Sequence, residues 1–258
     1  MRTRRVVSAV FAMMCVAGSS SCGDGGPEAP AEVPVREFPY ATVWSAGSGV
    51  DLFARGAELI RAAEEAATYT FVAGAAAQYP GYFAAVRDSD IGLFPADPDF
   101  RTENGKYYQD RYTWFRNIVD YSADADRVSG TVCTYRVYED PVESRSDVML
   151  HVAVRITLVN ASAVPGSAGI ADADEAARDP RAQHPPSWNV FGTWNIVEYT
   201  SFLTNETPQA CIDWWKQEFP TFLPSSRSRA LISPPGFVMP TMPVAVQYPE
   251  WIGPVDVS

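Results

Sequence analysis

Val148 to Val159 alternates without interruption, and this stretch constrains the fold more than any other. Val148, Leu150, Val152, Val154, Ile156 and Leu158 fall on one side; Met149, His151, Ala153, Arg155 and Thr157 fall on the other. A period of two with one strongly apolar side predicts a β-strand. Such a strand needs neighbours in a sheet and a second layer over its apolar face. Gln109 to Tyr121 alternates in the same way, with Tyr112, Trp114, Arg116 and Ile118 opposing Thr113, Phe115, Asn117 and Val119. Val128 to Glu139 adds Val128, Val132, Tyr135, Val137 and Tyr138, residue types that suit a pleated surface. Asp140-Pro141 to Asp147 is then a hairpin loop, and Trp188 to Thr200 a fourth strand, bent at Gly192.

The second layer is helical. Over Ser48 to Ala67, Leu52, Phe53, Gly56, Leu59, Ile60 and Ala63 recur at helical spacing, with Ser48 or Asp51 as the cap. Arg55, Glu58, Arg61, Glu64 and Glu65 take the other side, so the stripe is one face of a helix laid on a core. Ala66 to Gln78 reads as a second helical piece, with Gly74 as its break. Tyr82 to Val86 reads as a short helix after the Pro80-Gly81 punctuation. Asp88 to Lys106 is a loop closed by an Asn104-Gly105 turn. Thr207-Pro208 marks another helix start, with Cys211, Trp214, Trp215 and Glu218 following at helical spacing. Asn160 to Ser187 is rich in Ala, Gly, Asp and Pro and reads as a mobile connection with a short helix around Asp174–Ala177. From Pro220 onward prolines alternate with apolar residues, which predicts an extended strap packed on the domain, with Val244 to Tyr248 an edge strand. The fold class expected is α+β: N-terminal helices packed on a curved, mainly antiparallel sheet, with a proline-rich C-terminal strap.

The first residues set the compartment. Arg2, Arg4 and Arg5 precede an uncharged apolar run, Val6 to Ala17, and then Gly18, Ser19, Ser20, Ser21 and Cys22. A basic segment, a short apolar run and small residues form a signal-peptide pattern. The apolar run is shorter than the ~20 residues that span a bilayer as a helix. Residues 1–21 are therefore expected to be a signal peptide, 22–41 a proline-stiffened tether, and 42–258 a single domain including the strap. Thr3-Arg4-Arg5-Val6-Val7 also permits twin-arginine export, and the route stays open.

Net charge is −11, and removing the leader's three arginines makes the rest more negative still. A surface that acidic repels phosphate backbones and anionic headgroups, so no nucleic-acid partner is expected. Of four cysteines, Cys15 lies in the leader and Cys22 directly follows the small residues that end it. Cys133 and Cys211 remain, and in an exported chain the expectation is a disulfide, with two buried thiols the alternative. No Cys or His has a second ligand at zinc-site spacing, and Asp88, Asp90, Asp97 and Asp99 lack the ligand spacing of a calcium loop. Neither a metal nor a cofactor is expected.

Two histidines limit acid–base chemistry. The catalytic candidates are His151 with Asp120 or Glu198 on a neighbouring strand, weighed against a hydrogen-bonded or half-exposed strand histidine. The aromatic residues supply a second candidate site. Tyr112, Trp114, Trp194 and Trp215 are expected either to line an apolar pocket or to fill the core.

Gly18 to Cys22 resembles the lipobox of bacterial lipoproteins of actinobacterial type, with Ser19 where Leu or Val is commoner. That resemblance implies a diacylglycerol on the Cys22 sulfur, with palmitate-type acyl chains holding the chain on the outer face of the cytoplasmic membrane. The order of elements over Ser48 to Thr200 resembles the cone-shaped α+β fold of nuclear-transport-factor-2-like proteins, and that likeness implies no particular catalytic residue. An antiparallel half-barrel of lipid-carrying lipoproteins is the rival outline. Three functions stay open: a non-enzymatic envelope lipoprotein that binds a small molecule or an envelope protein, which is preferred; a carrier of an apolar ligand; and a small-molecule enzyme.

Overall fold

β2 (Tyr112–Ala123) and β3 (Arg127–Tyr138) form the longest ladder in the protein, antiparallel, with Tyr112 opposite Tyr138 and Trp114 opposite Arg136. The computed structural model describes residues 40–73, 79–86, 111–141, 148–162 and 167–254. The leader, Cys22, most of the tether, the acidic loop from Asp88 to Asp99 and the Asn104-Gly105 turn lie outside the described residues.

The fold is α+β. A five-stranded sheet runs in the order β1-β2-β3-β5-β7, where β1 is Tyr40–Ala46, β5 is Ala153–Asn160 and β7 is Trp194–Ser201. β1 is parallel to β2 and every other pair is antiparallel. Parallel neighbours need a crossover rather than a hairpin. The chain between them contains α1 (Arg55–Ala73) and α2 (Tyr82–Val86). A strand therefore precedes the helices among the described residues, and Tyr40 and Ala41 of the expected tether are buried in β1.

Alternation sorts the sheet into two cores. Ile118, Val128, Val132, Val154, Ile156, Leu158 and Ile196 pack with Leu59, Ile60 and Ala63 of α1. Val119, Cys133 and Ala153 face the other way and pack with Trp215 and Leu231. α3 (Gln209–Glu218) covers this second face, and the Cys133–Cys211 disulfide, with Cα atoms 5.4 Å apart, staples it to β3. Cys133 and Tyr135 share the α3 side because they sit two residues apart on one strand. Pro208 is the N-cap of α3, one residue later than Thr207, whose hydroxyl bonds the Thr204 carbonyl instead.

Several local expectations are corrected. The long alternating strand splits into β4 (Met149–Leu150) and β5 at His151 and Val152. β4 leaves to pair with β9 (Leu231–Ile232), which also pairs with β8 (Leu223–Pro224). Leu150 thus packs on the α3 side, and Val152 is 47% exposed. A competing backbone partner overrides the side-chain period. α1 begins at Arg55 and runs unbroken to Ala73, replacing two helical pieces. Gly56 is required there, since a Cβ would lie 2.9 Å from Ala123 Cβ, against which the helix seats. β7 starts only after a turn at Gly192, whose φ is +59°. Asp174–Ala177 is not helical.

From residue 167 onward the connection after β5 is pinned rather than loose. Gly169 N–H donates to Glu58 at 2.7 Å, and Glu250 N–H donates to Asp172 at 2.9 Å. β6 (Ala182–Gln183) pairs with β10 (Trp251–Ile252). Nearby, Tyr248 bonds both ways with the outer edge of β1, through Trp44 N–H at 2.7 Å and the Thr42 carbonyl at 2.9 Å. No helix among the described residues is long and apolar enough to cross a membrane.

Candidate functional site

Buried polar chemistry collects in two places. The first is the side of α1 that a one-faced helix would leave in water. Gly56 to Ala67 is buried on every side, including Glu58, Arg61, Glu64 and Glu65. Buried charges persist only when paired and hydrogen-bonded. Glu65 accepts from Trp44 Nε1 at 2.6 Å, Tyr79 Oη at 2.7 Å, Trp251 Nε1 at 2.8 Å and Gln247 Nε2 at 3.2 Å. Glu64 meets Arg116 at 3.2 Å and takes the Tyr199 hydroxyl at 2.5 Å; burial raises its pKa and Arg116 opposes that. Arg61 lies 4.7 Å over the Trp251 ring. His184 packs edge-on against Tyr40 and Tyr69, and burial lowers its pKa. Through these contacts Glu58, Glu64 and Glu65 hold distant segments together.

The second place is a cavity of about 970 Å³ at the edge of β3 beyond its pairing with β5. Cys133 is the last β3 residue in register with β5, opposite Ala153. Past it, Thr134 N–H reaches the Val152 carbonyl at 2.9 Å, and Tyr138 O accepts Met242 N–H at 3.1 Å. Between those two bonds the edge opens. The departure of β4 toward β9 leaves this space, so the cavity and the split strand have one cause.

The walls are mostly apolar, with Tyr135, Leu150, Val152, Phe237 and Met239 among them, and residues 236–241 close one side. Seven of the lining residues carry a side-chain group that can hydrogen-bond or bear charge: Trp114, Thr134, Tyr135, Arg136, Tyr138, His151 and Thr241. Arg136 is held by aromatic rings. Its guanidinium lies 5.0 Å from the Tyr138 ring, 5.3 Å from Trp114 and 5.7 Å from Tyr112, within cation–π range. The register explains this patch, because Trp114 faces Arg136 across the ladder and Tyr112 faces Tyr138. Arg116, also 5.4 Å from Trp114, is engaged by Glu64 and Thr68. Arg136 has no carboxylate within ion-pair distance among the described residues. Thr134 is 4% exposed, and its hydroxyl has no hydrogen-bond partner among the described residues. The buried Nδ1 of His151 is in the same condition.

The residues singled out from sequence are dispersed. His151 reaches the cavity; Asp120 and Glu198 do not line it. Asp120 sits in an irregularity of β2 at φ +48°, and Glu198 accepts the Thr157 hydroxyl at 2.7 Å. Six β5-side positions separate Thr157 from His151, about 20 Å at the rise of a strand. Of the four aromatic candidates, Trp114 lines the cavity and Tyr112 meets it edge-to-face at 5.4 Å. Trp194 belongs to the core under α1 and Trp215 to the core under α3. Sequence reasoning missed Thr134, Arg136 and the 236–241 wall. The available signal was an arginine two residues from an aromatic on a strand, opposite a second strand with Tyr112 and Trp114 in the same phase.

Comparison with protein-family models, with curated proteins and with solved structures finds no match for this chain.

Proposed function

We propose that this chain is a non-enzymatic lipoprotein of the cell envelope whose folded part binds a largely apolar ligand in the cavity at the β3 edge. The cavity carries the reading. Its volume lies within the ~300–1,000 Å³ of small-molecule sites, and its lining has their character, apolar walls with a few placed polar groups. The space beneath α1 is filled by side chains, so it is no rival. A catalytic pocket around His151 would need an acid–base partner. No carboxylate is found among the described lining residues.

The membrane part of the proposal rests on Gly18 to Cys22, with lipid on Cys22 placing the domain outside the cytoplasmic membrane. The strap belongs to the same reading: Pro234 to Trp251 closes the cavity with one part and covers β1 and α1 with another. The crossing of α1 over the sheet supports a likeness to the nuclear-transport-factor-2-like fold, while the leading strand β1 departs from the helix-first order.

Native mass spectrometry of the protein purified from envelopes tests the cavity, with a fluorescent apolar probe as the second readout. Copurifying lipid or displaceable probe is expected; an empty protein that takes up no probe overturns the carrier reading. Labelling with a palmitate analogue tests the anchor. Label is expected on wild type and lost in Cys22→Ala, and an unlabelled wild type overturns it.

A further inference from the structure

We propose that the occupant of the β3-edge cavity is an amphiphilic anion, a hydrocarbon body ending in a carboxylate or phosphate, whose head lies against Arg136 and Thr134. The inference deepens the carrier reading and rests on it.

Four observations converge on the head. Arg136 is the only Lys or Arg among the described lining residues, and no Asp or Glu is among them, in a chain whose net charge is −11. The cavity therefore concentrates positive charge against the sign of the whole molecule. Three rings hold the guanidinium from the side, and stacked guanidinium groups keep their planar N–H edge for an acceptor. The neighbouring Arg116 has its carboxylate, Glu64; Arg136 has no such partner among the described residues. Finally, the Thr134 hydroxyl is buried and unbonded on the same wall, and His151 Nδ1 is buried and unbonded as well. Leaving a buried polar group without a partner is costly, so a ligand atom that bonds it is favoured there. One ligand oxygen cluster beside Arg136 satisfies both. The arginine fork suits a carboxylate or phosphate bidentately.

The body is set by the rest of the wall. Tyr135, Leu150, Val152, Phe237 and Met239 offer carbon and ring edges. Those residues cannot discriminate among hydrocarbon chains by hydrogen bonding, so selectivity resides in the head.

The experiment uses the mature chain with Cys22→Ala and four twelve-carbon probes below their micellar concentrations: dodecanoate, dodecyl phosphate, dodecanol and dodecyltrimethylammonium. Binding is read by calorimetry. The anions are expected to bind about tenfold or more tighter than dodecanol, with the ammonium weakest. Arg136→Gln is expected to remove that advantage while leaving dodecanol unchanged. Thr134→Val keeps the shape of the wall; it is expected to weaken the anions several-fold and not to lower the melting temperature. The ratio of dodecanoate to dodecyl phosphate identifies the head. Equal affinity for dodecanol and the anions, or an Arg136→Gln protein that loses all four probes in parallel, overturns the anionic head while the apolar cavity stands. Failure of every probe to bind the folded wild type overturns both.

Discussion

The carboxylate of Glu65 accepts the indole N–H of Trp251 at 2.8 Å across 186 positions of sequence. The same carboxylate takes Trp44 from β1, Tyr79 from the segment after α1, and Gln247 from the segment that borders β1. One acidic side chain thus ties together elements that the chain's order keeps far apart.

Removing it should be expensive. Glu65→Ala strands several buried donors at once, and the expected loss is on the order of 3–5 kcal/mol, measured by urea unfolding. Trp251→Phe removes one donor and keeps the ring over Arg61. A double-mutant cycle between the two positions should give a coupling of about 0.5–3 kcal/mol. Additive losses would mean that the contact does not hold the segments together.

The disulfide fastens the opposite face. Cys133 and Cys211 are 78 positions apart, and closing a loop of that size is worth roughly 4 kcal/mol in the chain-entropy account. The Cys133→Ala, Cys211→Ala protein should unfold at a correspondingly lower guanidinium concentration. Adding reductant to wild type should shift its midpoint the same way. A wild type indifferent to reductant would count against the bridge.

Acid should weaken the region around His184. Burial lowers its pKa from the ordinary 6.5; the nearby Glu65 raises it and Arg178 lowers it. The folded imidazole holds its proton less tightly than the unfolded one, so its contribution to stability is complete above pH 6.5 and is lost as pH falls below that value. Glu64 and Glu250 have raised pKa values, chiefly through burial, and act oppositely, favouring the fold below about 4.5 and losing that contribution as pH rises. Melting temperature followed from pH 8 to pH 5.5 should fall in wild type and fall less in His184→Phe. Because the chain has only two histidines, proton NMR can follow each ring, and one should titrate below 6.5.

Two tryptophans should separate stability from binding. Trp215 of α3 is fully buried in the second core, and Trp215→Ala should cost about 3–5 kcal/mol of unfolding free energy. Trp114 stands on the cavity wall, so Trp114→Leu should cost less than half of that and weaken probe uptake instead. Equal losses of stability would place Trp114 in the core.

The strands of the main sheet were legible because alternation is a local property. β2, β3 and the apolar positions of β5 could be read from their side-chain phase, and the bridge from the two cysteines left once the leader and Cys22 are set aside. What stayed hidden depends on distant partners. Glu58, Arg61, Glu64 and Glu65 share a phase that normally means solvent; residues 169 and 247–251, far along the chain, engage Glu58, Arg61 and Glu65, while Arg116 and Tyr199 of the sheet engage Glu64. The late Trp251 and Ile252, both buried, were the available clue, since apolar side chains of that size require something to cover. Likewise, nothing between Val148 and Val159 announces that Leu150 will choose Leu231 over the main sheet. The cavity exists because of that choice, and Arg136 acquires meaning only once the register sets it opposite Trp114.

The late arrival of Trp251 also bears on how the protein comes into being. When α1 emerges from the ribosome, the segment carrying Gln247 and Trp251 is still some 186 codons from translation. Until it appears, the Glu65 carboxylate lacks the Gln247 and Trp251 donors that bury it in the finished fold. Completion then turns a charged flank into buried interior, so Glu65 acquires its last two partners only when the chain is nearly finished.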